Sequence, residues 1–85
     1  MEKIKGIIWT QKFEQDFKKI KDNAIQDKLE KQIRKIVENP NFGKPLRYAL
    51  KGEWSIYVKP FRLIYKIEGD TLILLRFEHR KSVYG

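Results

Sequence analysis

The stretch EWSIYVKPFRLIYKIEGDTLILLRFEH, residues 53–79, alternates apolar and polar side chains with a period of two and is interrupted at Lys59-Pro60 and Gly69-Asp70. That period marks strands with one face buried. It divides into three strands, roughly Glu53 to Lys59, Phe61 to Glu68 and Thr71 to Glu78, with Gly69-Asp70 as a two-residue hairpin turn and Lys59-Pro60 as a tighter one. Strands joined by such short turns form an antiparallel meander.

The turns also set the register. With Gly69 and Asp70 as one loop, Glu68 faces Thr71, Arg62 faces Phe77 and Pro60 faces His79; with Lys59 and Pro60 as the other, Tyr57 faces Arg62. Tyr57, Arg62 and His79 are then expected on one face. The other face collects Trp54, Ile56, Val58, Phe61, Leu63, Tyr65, Ile67, Leu72 and Leu74 and is the expected core. Ile64, Ile73, Leu75 and Phe77 would project beside Arg62. Either the segment 40–52, with Phe42, Leu46, Tyr48 and Leu50, folds across that patch, or a partner with an amphipathic segment and acidic flanks docks on it.

Upstream of the meander the period lengthens. Ile4 to Trp9 reads as a short strand, and Thr10 is a suitable N-cap for a helix carrying Phe13, Phe17 and Ile20. A second helix, capped by Asp22 or Asn23, carries Ile25, Leu29, Ile33, Ile36 and Val37 as one apolar stripe and stops at Asn39-Pro40. Residues 40–52, with Pro40, Gly43, Pro45 and Gly52, read as a loop. The fold expected is α+β: a short N-terminal strand, a two-helix hairpin, a three-stranded meander and a basic C-terminal tail, all in a single domain, 1–85. The charged faces of both helices are ordinary solvated surface.

Nineteen Lys and Arg against eleven Asp and Glu give a formal charge of +8, which favours a polyanionic partner such as nucleic acid or an acidic protein. Four of the five Arg fall after residue 40. There is no Cys, so no disulfide framework and no thiolate chemistry. No apolar run approaches the roughly 20 residues of a membrane span, and the chain is expected to be cytoplasmic. The tail His79-Arg80-Lys81-Ser82-Val83-Tyr84-Gly85 sets an imidazole, two cations and a phenol directly after the last strand. Those groups suit RNA cleavage: cations hold the polyanion, His and Tyr exchange protons, and Arg offsets charge developing on phosphate.

The ordered set Leu50-Lys51-Gly52-Glu53-Trp54-Ser55, Phe61-Arg62-Leu63-Ile64-Tyr65, Gly69-Asp70 and His79-Arg80-Lys81-Ser82-Val83-Tyr84 resembles the RelE/ParE toxin superfamily, most of all its RelE and YoeB branches. The resemblance spans essentially the whole chain. It implies a toxin of a type II toxin-antitoxin pair that enters the ribosome and cleaves mRNA, restrained by a RelB-like antitoxin with an acidic or amphipathic segment. Arg62 matches the Arg of the family's Y-R-L-V-Y strand, which stabilises the scissile phosphate. Arg80 and Tyr84 match a C-terminal Arg that supports phosphate charge and a Tyr that stacks on or activates the nucleotide. His79 resembles the C-terminal His of YoeB-like enzymes and could shuttle protons near neutral pH.

Two departures bear on the chemistry. The positions of the RelE Lys pair hold Ser55 and Tyr57, and residues 43–47, Gly-Lys-Pro-Leu-Arg, lack the Glu base of YoeB-like enzymes. His79 is the base expected here, with Tyr84 or an ionised Tyr57 as alternatives and Glu53 or Glu78, set on other strand positions than Arg62, as carboxylate ones; Lys51, Tyr57, Lys59 and Lys81 are expected to hold the substrate, and Arg76, on the opposite parity, is assigned no role. The expected reaction is attack of an RNA 2'-hydroxyl on the adjacent phosphate, with no metal or other cofactor. Two rivals remain: a noncatalytic gyrase inhibitor, as in the ParE branch, and a decayed homologue that only binds RNA or antitoxin.

Overall fold

The computed structural model describes residues 4–45 and 52–79. Strand β1 (Gly6–Trp9) leads into helix α1 (Gln11–Lys19) and helix α2 (Asn23–Glu38), followed by β2 (Lys44–Pro45), β3 (Glu53–Val58), β4 (Phe61–Glu68) and β5 (Thr71–His79). The five strands form one sheet in the order β1-β5-β4-β3-β2, with β1 parallel to β5 and the other pairs antiparallel. The α+β fold with its helical hairpin and meander is as expected. The segment read wholly as loop contributes β2, a two-residue edge strand paired with Trp54 and Ser55.

Local chemistry explains the helix ends. Thr10 Oγ1 accepts from the Phe13 N–H at 3.2 Å and donates to the carbonyls of Leu74 and Leu75, capping α1 while tying it to β5. Asp22 accepts from the Ala24 N–H at 2.9 Å and caps α2. Phe13, Leu29, Ile33 and Ile36 then pack on Val58, Leu63, Tyr65, Leu72, Leu74 and Phe77, so the core lies between the helices and one face of the sheet.

Where β1 stops opposite Leu74, the outer backbone of β5 loses its strand neighbour. Helix α1 supplies a substitute: the buried Asp16 carboxylate accepts the Phe77 N–H at 3.0 Å and binds Lys12 Nζ at 2.8 Å. A buried backbone N–H left unpaired would be costly, so this side chain continues the hydrogen bonding that β1 abandons.

Register departs from expectation within β5. Glu68 pairs with Thr71 and Tyr57 with Arg62 as anticipated, but the ladder shifts at Ile64 and Tyr65, which pair with Arg76 and Leu74 and leave Leu75 as the extra residue. A bulge of this kind reverses the facing of everything beyond it. Arg62 therefore pairs with Glu78, Leu63 with Phe77, and Phe61 rather than Pro60 with His79. The expected apolar patch beside Arg62 is correspondingly reduced: Phe77 belongs to the helix-packed core, and Ile64 is fully buried outside that cluster. Among the described residues, the large apolar side chains left exposed are Ile7, Ile8 and Trp9 on β1, together with Phe42 and Tyr57.

Candidate functional site

Because β2 pairs only with Trp54 and Ser55, no strand among the described residues lies beside the edge of β3 beyond Ser55. A cleft of about 400 Å³ occupies that position, lined by Gln32, Phe42, Gly43, Lys44, Ser55, Ile56, Tyr57 and Arg62. Its wall is held in place from beneath. The Gly43 N–H donates to Tyr65 Oη at 3.0 Å, and a Cβ at residue 43 would meet Ser55 O at 2.7 Å and the Tyr65 hydroxyl closer still, so only glycine allows this approach. Burial raises the Tyr65 phenol above its ordinary pKa of 10.0, with the Gly43 hydrogen bond acting in the opposite direction.

Arg62 enters the cleft from β4, directly across the ladder from the exposed Tyr57. Its Nε is buried and has no hydrogen-bond partner among the described residues. A buried donor of a permanent cation without an acceptor is unfavourable unless an anion completes it, and Lys44 adds a second positive charge to the same wall. The geometry is that of an anion site flanked by aromatic rings.

The bulge places charged groups on this face that sequence reasoning set elsewhere. Arg76, expected on the opposite parity and given no role, lies on the Arg62 face and bridges Glu78 at 2.7 Å and Glu53 at 3.1 Å. One guanidinium offsets only one of the two carboxylates, and among the described residues Arg62 makes no ion pair. Glu78, set on a different position from Arg62 in the expected register, is its cross-strand partner.

His79 is the principal correction. Instead of sharing a face with Tyr57 and Arg62, it lies with Phe61 on the helix side, the rings 5.5 Å apart at 74°. It borders a separate cleft of about 320 Å³ with Lys12, Asp16 and Lys19 from α1. The single extra residue at Leu75 is the cause, since each one-residue slip exchanges the two faces of a strand.

A family described as ParE toxin of type II toxin-antitoxin system, parDE, matches residues 7–84. The chain belongs to the RelE/ParE toxin superfamily. Toxin RelG of Mycobacterium tuberculosis is 41% identical over 44 residues, 49% of this chain and 51% of that toxin, so the chain spans about half the length of this curated relative. Among solved structures, the RelBE2 toxin-antitoxin complex of the same organism aligns with 28% identity and a TM-score of 0.74, over 88% of this chain and 96% of that one. At 18% identity, the YoeB dimer of Staphylococcus aureus shares the fold, with a TM-score of 0.79 over 91% of this chain and 98% of that one.

Of the residues singled out from this superfamily's pattern, Arg62 and Tyr57 come together in the cleft, and Lys59 is exposed in the β3–β4 turn. Lys51, Arg80, Lys81 and Tyr84 lie outside the described residues, as do Leu46, Tyr48 and Leu50 of the segment expected to cross the Arg62 face. Phe42, named in the segment expected to cross this face, does line the cleft, whereas Gln32 and Lys44 were not anticipated. Only the short reach of β2 reveals them, and a two-residue strand has no period to read. Among the described residues no cluster of three or more His, Asp or Glu could hold a metal ion, and no helix is long and apolar enough to cross a membrane.

Proposed function

We propose that this chain is the toxin of a type II toxin-antitoxin pair and acts as a ribosome-dependent endoribonuclease on translated mRNA. The observation that carries the reading is the buried, unpartnered Arg62 Nε in a cationic cleft beside Tyr57. A phosphodiester supplies the acceptor that donor lacks. In the proposed reaction the RNA 2'-hydroxyl attacks the adjacent phosphorus, the 5'-oxygen leaves, and a 2',3'-cyclic phosphate and a 5'-hydroxyl result. Arg62, joined by Arg80 from the tail, offsets charge on the phosphorane-like transition state, and Tyr84 stacks on the nucleotide.

The proton acceptor is reassigned. With His79 facing the helices, Glu53, Glu78 and an ionised Tyr57 are the described groups on the Arg62 face able to take the 2'-proton. Such weak bases require a substrate already aligned for attack, which is the role given to the ribosome. The partner that restrains the toxin is an antitoxin with an acidic or amphipathic segment, matched to the charge of +8 and to the exposed Ile7, Ile8 and Trp9. The setting is the cytoplasm, where mRNA is translated.

Two observations favour a second reading, a noncatalytic gyrase inhibitor: the matching family is ParE, and the imidazole stands apart from the guanidinium. Mapping 5' ends in translated mRNA after brief expression separates the two. Codon-phased cuts that vanish with Arg62→Ala support the nuclease; loss of DNA supercoiling without cuts supports gyrase and refutes the nuclease.

A further inference from the structure

The chemistry above rests on Arg62, Tyr57 and Lys44 and gives no task to Gln32 and Phe42 of the same cleft. Gln32 lines it from α2, half-buried between the turns that anchor Leu29, Ile33 and Ile36 in the core. Phe42 lines it from the chain before β2 and is 42% exposed.

The backbone around Phe42 is fixed in position. The Phe42 N–H bonds to Asn39 O at 2.9 Å, the next residue is pinned to Tyr65, and the one after pairs with Ser55. Lys35, which does not line the cleft, sits 5.5 Å from the centroid of the Phe42 ring. The cleft therefore presents three kinds of group side by side: cations at Arg62 and Lys44, aromatic surface at Phe42 and Tyr57, and a neutral amide at Gln32. A nucleotide carries the complementary set in phosphate, base plane and base edge. Single-stranded RNA is read in this manner, by stacking on aromatic rings and by hydrogen bonds to exposed edges, and a Gln amide offers both a donor and an acceptor for such an edge. The volume of about 400 Å³ is in the range of small-ligand clefts.

We propose that Gln32 and Phe42 form a nucleobase subsite for single-stranded RNA, Phe42 stacking on the base and Gln32 selecting its edge, next to the phosphate held by Arg62 and Lys44. The inference rests on the RNA reading of that cleft and adds where sequence preference arises. It places a specificity residue on a helix that otherwise serves the core.

The test is an NMR titration of the full chain with the four nucleoside 3'-monophosphates and, separately, inorganic phosphate. The nucleotides should move the Gln32 side-chain amide and Phe42 ring signals, whereas inorganic phosphate should move those of Arg62 and Lys44 only. Phe42→Ala should weaken all four nucleotides at least about fivefold, the lower end for loss of one base stack. Gln32→Ala should change their rank order while leaving phosphate affinity intact, which also shows that the variant is folded. Nucleotides that perturb the same signals as phosphate, or a rank order unchanged by Gln32→Ala, overturn the subsite. Cut mRNA with nucleotides indifferent to both residues removes the subsite alone; nucleotide selection without cut mRNA removes the nuclease reading alone.

Discussion

Replacing Arg62 with Met should make the protein more stable and less active at once. The half-buried Arg62 side chain keeps its Nε from solvent with no acceptor among the described residues, and leaving such a donor unmade costs about 1–3 kcal/mol in the folded state. Met preserves most of the stem's apolar packing and carries no donor, so Arg62→Met should raise the unfolding free energy by about 1 kcal/mol or more. For a domain of this size that is a rise in Tm of about 4–8 °C. Activity should fall on the order of 10² to 10³ in rate, as when other preorganised charge stabilisers are removed. Thermal unfolding followed by circular dichroism, with cleavage of ribosome-bound mRNA by the same preparation, measures both. An ordinary structural arginine gives the opposite pattern: a lower Tm with cleavage retained. That result would refute the claim that Arg62 waits for an anion.

Three further outcomes follow from the geometry. Asp16→Ala removes the acceptor of the Phe77 N–H and should cost about 1–3 kcal/mol in urea unfolding, while Asp16→Asn, which keeps a carbonyl oxygen, should cost less; equal losses would mean that the Lys12 pair, not the backbone bond, is what matters. Because burial raises the Tyr65 phenol, its contribution to stability is whole below the unfolded-state value near 10.0 and is lost as pH rises through the higher folded value. Tyr65→Phe should therefore cost about 1 kcal/mol at neutral pH through the Gly43 N–H, yet lessen the fall in stability above pH 10, as read from Tm against pH. Gly43→Ala, which drives a methyl toward Tyr65 and Ser55, should cost about 1–3 kcal/mol and weaken phosphate binding at the cleft; an unchanged Tm would show that the wall is not tightly fitted.

The parts of this fold that could be read in advance are those decided by neighbours in the chain. Thr10 and Asp22 cap their helices, Asn39-Pro40 ends the second, and Gly69-Asp70 and Lys59-Pro60 turn the meander, each through bonds or dihedral limits within a few residues. Tyr57 and Arg62 fell opposite each other because a two-residue turn fixes that register directly. The bulge at Leu75 had no Gly or Pro to announce it, and its cause is a comparison of transfer energies along β5. Strict alternation after Leu74 would have turned Arg76 toward the helices and Phe77 away from them. Burying a Phe side chain stabilises by roughly 1.5–3 kcal/mol, and an unpaired buried guanidinium costs far more, so one extra residue that restores Phe77 to the core and frees Arg76 for Glu53 and Glu78 is the better arrangement. The doubled Leu74-Leu75, where two apolar residues break the alternation, was the one visible trace. The same slip carries His79 to the helix side, so chemistry on the Arg62 face must draw its proton acceptor from Tyr57, Glu53, Glu78 or the tail beyond residue 79, and a pH profile of cleavage governed by the His79 imidazole would contradict the ladder itself.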